Sequence, residues 1–222
     1  MLLLTLPGVL VRTENDSGSQ ATELRHLYGW TVRVDPDLEV EEDLRDAALE
    51  LLGHELYEAA RALPPEPLER LRQVPIRLSL DSPWPGGVYH PSRPWLEDHG
   101  HDPTLAGCVQ IGNARNFLVW ERTQPSMLLH ELAHAWHHQV IGHDDDAVRA
   151  AFENAVESGR YESVLRNRGG DQRAYALTNA QEYVAELSEA YLGTNDFYPF
   201  VRAELERHDA EGFALMQAIW GD

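Results

Sequence analysis

The sequence contains no lysine and a single cysteine, Cys108, among its 222 residues. A lone cysteine excludes an internal disulfide framework and a cysteine-rich zinc ribbon, so a metal ion would have to bind histidine and carboxylate side chains. No stretch approaches the ~18 consecutive apolar residues that a transmembrane helix needs. We therefore do not expect a membrane partner.

Positive charge is scarce as well. The 18 arginines are outnumbered by 37 aspartates and glutamates, which gives a formal net charge of −19 at pH 7. Phosphate backbones repel such a chain, so nucleic acid is not an expected partner. Hydrophobic residues make up 43% of the sequence, which is typical of a globular protein rather than a disordered one.

The apolar N-terminal segment lacks the features of a secretory signal. Pro7 and Gly8 interrupt the apolar run, and no basic residue precedes it. We interpret residues 8–13 as a first strand and residues 15–19 as a turn or loop. The sequence therefore favours a cytoplasmic location, with secretion as the alternative.

Hydrophobic periodicity places strands before helices. Alternating residues predict strands at 30–34, which we expect to pair with the first strand, and at 76–80, 108–111 and 117–120. Helical spacing predicts helices at 41–63, 125–141, 146–157 and 179–192, and a last one from 199 that is broken near Gly212. This order indicates an α+β fold in a single domain, 1–222, with a small mixed sheet and a helix in 1–120 and a mainly helical half in 121–222.

Residues 81–107 form a long segment rich in proline, glycine and histidine. Segments of this length without regular structure are usually functional when they are ordered, and the aromatic residues here argue against disorder. Three histidines lie in it, His90, His99 and His101. They could line a cleft or bind a second metal ion, although solvated loop histidines are the simpler interpretation.

A metal-binding motif occupies residues 130–134, which read His-Glu-Leu-Ala-His and match H-E-x-x-H. On a helix, His130 and His134 lie one turn apart on one face, so both imidazoles can reach one Zn²⁺. Glu131 points beside the metal, where a base for a metal-activated water belongs. The longer pattern H-E-x-x-H-x-x-G-x-x-H is absent, because His137 and Val140 replace its glycine and its last histidine.

A catalytic zinc site needs a third protein ligand. Glu182 and Glu186 lie one turn apart in a helix otherwise suited to burial, so one could bind the metal while the next accepts a hydrogen bond from a ligand imidazole. Glu189 is a further acid of this helix. His137 and His138 are weaker alternatives, because one straight helix cannot easily supply three ligands to a tetrahedral ion.

The combination of His130, Glu131 and His134 with a later Glu182 resembles the gluzincin zinc metallopeptidases. More narrowly, it resembles the catalytic domain of the anthrax lethal factor family, in which a tyrosine precedes the glutamate ligand by seven residues, as Tyr175 precedes Glu182 here. Residues 28–220 also resemble a group of little-characterised microbial metallopeptidases, at 130–139, 173–189 and 195–200 and at 89–91 with 95–96.

This resemblance implies a zincin-like metal-binding half and a role for each matching residue. His130, His134 and Glu182 would hold one Zn²⁺ per chain, with Glu186 supporting a ligand histidine. Glu131 would be the general base, and Tyr175 would donate its phenolic proton to the oxyanion. The expected activity is hydrolysis of a peptide or protein substrate, which would lie along a sheet edge that we place at residues 108–111.

Three other functions fit parts of the sequence. One is a helical interaction domain that binds no metal. A zinc-binding module that recognises or inhibits peptides, with little or no turnover, would keep the same ligands. A thiol hydrolase would use Cys108, but its flanking Gly107 and Val109 are more typical of a small buried residue at a strand. We therefore expect a zinc-dependent peptidase.

Overall fold

The computed structural model of the protein describes residues 10–13, 23–120 and 122–221, and it has the α+β fold that the sequence predicts. The described residues divide into two compact units. The first contains those of Met1–Tyr57 and Arg72–Leu118, and the second contains Glu58–Leu71 and those of Val119–Asp222. Among the described residues, no helix has both the length and the apolar character that spanning a membrane requires.

The first unit contains a mixed sheet with the strand order β1-β2-β3-β4-β6-β5. Its strands are β1 (Leu10–Thr13), β2 (Glu23–Leu27), β3 (Trp30–Val34), β4 (Ile76–Leu78), β5 (Gly87–Tyr89) and β6 (Val109–Ile111). The β3–β4 and β4–β6 pairs are parallel, and the other pairs are antiparallel. The predicted turn at 15–19 lies outside the described residues.

The predicted pairing of β3 with the first strand is wrong, because β2 lies between them. A two-residue turn joins β2 to β3, and both of its residues, Tyr28 and Gly29, have positive φ angles. Positive φ angles at both residues are typical of a type I′ hairpin turn. Such turns usually have the sequence Asn-Gly or Asp-Gly, so the Tyr-Gly sequence here did not predict one.

The predicted sheet edge at residues 108–111 is also wrong. β6 lies between β4 and β5, so β5 is the outer strand at that side of the sheet. β5 comes from the long segment 81–107, and its three residues are too few to show an alternating pattern. The same segment contains a helix, α4 (Arg93–Asp98), and a 3₁₀ turn at Pro103–Leu105, so it is largely structured.

The helices that begin in the first unit are α1 (Pro36–Glu39), α2 (Glu42–Ala62), α4 (Arg93–Asp98) and α5 (Ala114–Trp120). The last five residues of α2 belong to the second unit. The strand predicted at 117–120 is wrong, because these residues belong to α5. Asn113 starts that helix by accepting a hydrogen bond from the backbone N–H of Asn116 at 2.9 Å.

The second unit is mainly helical, as predicted. Its helices are α3 (Pro65–Leu71), α6 (Met127–Trp136), α7 (Asp146–Ser158), α8 (Ala180–Leu192), α9 (Arg202–His208) and α10 (Ala210–Trp220). A hairpin, β7 (Val164–Leu165) with β8 (Asp171–Gln172), and a 3₁₀ turn at Tyr175–Leu177 separate α7 from α8. The helix predicted at 125–141 is α-helical only to Trp136 and continues as a π-helical turn, His137–Ile141.

Helices α6 and α8 pack against each other, and both carry buried aliphatic side chains, including Leu128 and Leu132 on α6 and Val184 on α8. Ser126, just before α6, donates its hydroxyl proton to the carbonyl of Thr194 at 2.9 Å and accepts the N–H of Thr194 at 3.1 Å. These contacts fix the start of α6 beside the end of α8, which aligns the two helices that carry the candidate ligands.

A buried carboxylate joins three further segments of the second unit. Asp209 is 1% exposed and accepts hydrogen bonds from Arg160 at 2.6 Å, from the hydroxyl groups of Tyr161 and Tyr183 at 3.0 and 2.6 Å, and from the N–H of Gly212 at 3.0 Å. The last bond caps α10, so the break in the final helix falls at Asp209 rather than near Gly212. Tyr183 belongs to α8, and Asp209 therefore helps to hold that helix in place.

We predict that Asp209→Ala lowers the free energy of unfolding by about 3–5 kcal/mol, because it leaves Arg160 and two tyrosine hydroxyl groups without their acceptor. Chemical denaturation measures this loss. The control is Glu206→Gln on the exposed side of α9, which should change stability by less than about 0.5 kcal/mol. Equal stability of the two variants would contradict this role for Asp209.

Candidate metal centre

Three of the predicted ligands meet between α6 and α8. The Nε2 atoms of His130 and His134 are 3.0 Å apart. Glu182 Oε2 lies 3.1 Å from His130 Nε2 and 3.3 Å from His134 Nε2. Helix α6 supplies the two imidazoles from one face, one turn apart, and α8 supplies the carboxylate from its first turn, where Asn179 caps the helix by accepting the N–H of Glu182.

This group could bind a metal ion. Ligand atoms in a tetrahedral zinc site, each about 2.0–2.1 Å from the ion, lie about 3.3 Å from one another, close to the separations observed here. The three side chains are 13–18% exposed, so the group is largely buried but still accessible to solvent. A cation bound by these three atoms would be stabilised by the negative charge of Glu182.

The charges of the group are strongly coupled. Burial lowers the pKa of His130, but hydrogen bonds with Glu182 and Glu189 outweigh this effect and raise the pKa well above its usual range. Burial raises the pKa of Glu182, but hydrogen bonds from both imidazoles outweigh it and lower the pKa to about 2. Glu182 is therefore a carboxylate at neutral pH, and a proton on His130 or a metal ion would balance its charge.

The prediction that Glu186 accepts a hydrogen bond from a ligand histidine is wrong. His130 Nδ1 lies 2.6 Å from Glu189 Oε1 and 3.9 Å from Glu186 Oε1. At about 100° per residue, Glu189 is displaced about 20° from Glu182 around α8, whereas Glu186 is displaced about 40° to the other side. Glu182 and Glu189 thus hold the two nitrogens of one imidazole ring.

His130, Glu186 and Glu189 also form a group that could hold a cation. However, a histidine that binds a metal through Nε2 keeps its proton on Nδ1, where it donates to a carboxylate. The hydrogen bond to Glu189 is of this kind. The geometry therefore favours metal binding on the Nε2 side of His130.

Behind His130 lies a buried acidic cluster that the sequence analysis identified only in part. Burial raises the pKa of Glu189 to about 7 and that of Glu186 well above its usual range. Asp196, which we did not predict, is 3% exposed and bonds Arg166 at 3.1 Å. The side chain of Arg166 also lies over the ring of Phe197. These residues lie on the side of His130 away from Glu182. The sequence indicated the segment 195–200 only through its resemblance to microbial metallopeptidases.

The two predicted catalytic residues lie close to the ligands. Glu131 follows His130 directly on α6 and is 7% exposed. Tyr175 is 48% exposed, and its ring centroid is 6.4 Å from that of His130. Burial and the charge of Glu182 raise the pKa of Tyr175, so its phenol keeps its proton at neutral pH.

The weaker candidates are not part of this group. Among the described residues, the metal-binding groups include neither His137 nor His138. In the first unit, His90 is buried against Gln110, and the rings of His99 and His101 stack on Trp95.

Cys108 does not have the properties of a nucleophile. The side chain is buried, and burial raises the pKa of its thiol to about 12. Reaction as a nucleophile requires the thiolate, which such a pKa makes scarce at neutral pH.

Comparisons with known proteins do not assign the chain to a family, since no family model, no curated protein and no solved structure matches it.

We predict that Glu189→Gln weakens metal binding by roughly 10–100-fold, because it removes the carboxyl acceptor of the His130 Nδ1–H bond. Glu186→Gln is the matched control, since it makes the same change at a buried position one turn earlier that does not bond His130. Zinc affinity measured by competition with a chromophoric chelator compares them. A larger loss in Glu186→Gln would contradict the observed hydrogen bonding.

Proposed function

We propose that the protein is a zinc-dependent peptidase of the gluzincin type. The observation that carries this proposal is the convergence of His130 Nε2, His134 Nε2 and Glu182 Oε2 within 3.0–3.3 Å of one another. Two imidazoles and one carboxylate form a donor set that suits zinc. Three protein ligands also leave one of four positions for water or substrate, as catalytic sites require.

When bound, zinc would polarise the carbonyl of a peptide bond and increase the acidity of a water molecule beside it. The protein itself would then move the protons. In this proposal Glu131 accepts a proton from the attacking water and later delivers it to the amine of the leaving peptide. Its place directly after His130, with a largely buried side chain, supports this role.

Tyr175 would stabilise the negative charge that develops on the carbonyl oxygen. Its position beside His130 and its protonated phenol support donation of a hydrogen bond to that oxygen. The exposed side of its ring leaves room for a substrate to approach. The expected substrate is a peptide or protein, because the donor set and the nearby acid–base groups suit hydrolysis of an amide bond.

The decisive experiment measures hydrolysis of a peptide library at matched zinc content. Wild-type protein should cleave peptides, a chelator should abolish cleavage, and added zinc should restore it. Glu131→Gln should lower the rate by about 10²–10⁴-fold while zinc binding persists, because only the base is lost. The control is Glu157→Gln, an exposed residue of α7, which should behave as wild type.

We further predict that Tyr175→Phe lowers the turnover number by roughly 10–1000-fold with little change in substrate affinity, because it removes one donor to the transition state. Tyr28→Phe, at an exposed turn of the first unit, is the control. Steady-state kinetics on the best library peptide separates the two parameters. A change confined to substrate affinity would show that Tyr175 binds substrate without acting in catalysis.

Two outcomes would overturn the proposal of a peptidase. Equal hydrolysis by wild type and Glu131→Gln would place the chemistry elsewhere or attribute it to a contaminant. Tight peptide binding without turnover by zinc-loaded wild type would instead favour the peptide-recognition module.

A further inference from the structure

The long segment 81–107 of the first unit contains a cavity that the proposed peptidase chemistry does not use. The cavity has a volume of about 380 Å³, and all the residues that line it lie between positions 84 and 96. Pockets that bind small molecules usually measure about 300–1000 Å³ and have mostly apolar walls with a few polar groups. The size of this cavity therefore suits a small molecule, and an ordered segment of this length is usually functional.

Most of the cavity wall is aromatic or aliphatic. The lining includes Trp84, Val88, Tyr89, Trp95 and Leu96. Tyr89 and Leu96 are buried, whereas Trp95 is 42% exposed, so a ligand can reach its ring from solvent. The ring centroids of Trp84 and Trp95 are 5.9 Å apart, and the two rings are inclined by 49°. Inclined indole rings suit a flat aromatic ligand, which can stack on one ring and present its edge to the other.

Two histidines that do not line the cavity support these tryptophans. The ring of His99 stacks on Trp95 with centroids 4.2 Å apart, and His99 Nδ1 lies 2.8 Å from the carbonyl oxygen of Trp95. The ring of His101 lies 5.7 Å from that of Trp95 and 5.1 Å from that of Trp84. These contacts hold both indole rings in place before a ligand arrives, which lowers the entropy cost of binding.

The polar part of the wall carries no ionised partner for a ligand. His90 lines the cavity and is 4% exposed, and its Nε2 lies 3.1 Å from Gln110 Oε1. Gln110 donates its amide N–H to Ser79 Oγ at 3.4 Å, so its oxygen accepts the Nε2 proton of His90. The lining contains no acid and no arginine. A charged ligand would lose its hydration here without gaining a counter-charge, so the cavity favours an uncharged one.

We propose that this cavity binds a small, uncharged molecule that contains an aromatic ring. The ring stacks against Trp84 and Trp95, and the buried side chains of Tyr89 and Leu96 cover the rest of its apolar surface. The proposal does not rest on the peptidase activity, because no lining residue is a candidate zinc ligand or a predicted catalytic residue. Failure of either proposal would therefore leave the other one standing.

Phenol is the probe that tests this site. The full ¹⁵N-labelled chain has six tryptophans, whose indole N–H signals can be followed by NMR and assigned with single Trp→Phe variants. Phenol should shift the signals of Trp84 and Trp95, with a dissociation constant of about 1 mM or lower. Cyclohexanol, which has a similar size but no aromatic ring, should bind at least about 3-fold more weakly. Benzoate and benzylammonium should bind at least about 10-fold more weakly, because each carries a charge.

Three variants locate the binding. Trp95→Ala, followed through the Trp84 signal, should weaken phenol binding at least about 10-fold, whereas Trp95→Phe should keep most of the affinity. Tyr57→Ala is the matched control, since Tyr57 is 41% exposed in the same unit but does not line the cavity, and it should bind phenol as wild type does. Circular dichroism of each variant confirms folding.

Three results would overturn the proposal. The first is the absence of shifts at Trp84 and Trp95 up to about 10 mM phenol, or equal affinity in wild type and Trp95→Ala. The second is tighter binding of benzoate or benzylammonium than of phenol, which would contradict the preference for an uncharged ligand. The third is equal binding of cyclohexanol and phenol, which would contradict the requirement for an aromatic ring.

Discussion

The candidate metal centre depends on the hydrogen bond between His130 Nδ1 and Glu189 Oε1. With this contact holding a proton on Nδ1, Nε2 is the nitrogen of His130 that could bind a metal ion together with His134 and Glu182. Glu182 and Glu189 lie two turns apart on α8, and each approaches a different nitrogen of the same ring. Helix α8 thus supplies one candidate ligand, Glu182, and also Glu189, the residue that orients a second candidate ligand, His130.

This arrangement requires α6 and α8 to keep one relative position along their axes. The paired hydrogen bonds of Ser126 and Thr194 align them at one end, and Asp209 holds α8 through Tyr183. The site also places carboxyl groups in the protein interior, where an isolated negative charge is costly. Hydrogen bonding by His130 and Arg166 offsets part of that cost, so the metal centre and the stability of the second unit are linked.

Much of the site could be predicted from the sequence because it depends on local spacing. The four-residue interval of His130 and His134 defines one helical face, and the acids of 182–189 stand out in an otherwise apolar helix. Which acid would bond His130 depends on how α8 crosses α6, and that contact joins residues far apart in the chain. Local spacing therefore favoured Glu186, whereas packing selected Glu189.

The same contrast between local spacing and long-range packing applies to the fold. The long periodic helices α2, α7 and α8 were predicted within a few residues, because their apolar faces repeat over several turns. The short elements were not: β-branched and aromatic residues at 117–120 indicated a strand, whereas capping by Asn113 starts a helix. Which strands lie on either side of β6 depends on the order of the strands in the sheet. The sequence of a three-residue strand does not determine that order.

The most direct test of this account is anomalous diffraction at the zinc absorption edge from crystals of the zinc-loaded protein. We predict a peak within about 2.0–2.1 Å of His130 Nε2, His134 Nε2 and one oxygen of Glu182, with His130 Nδ1 still bonded to Glu189. A fully loaded crystal without a peak between these three side chains, or with His130 turned away from Glu189, would contradict the account.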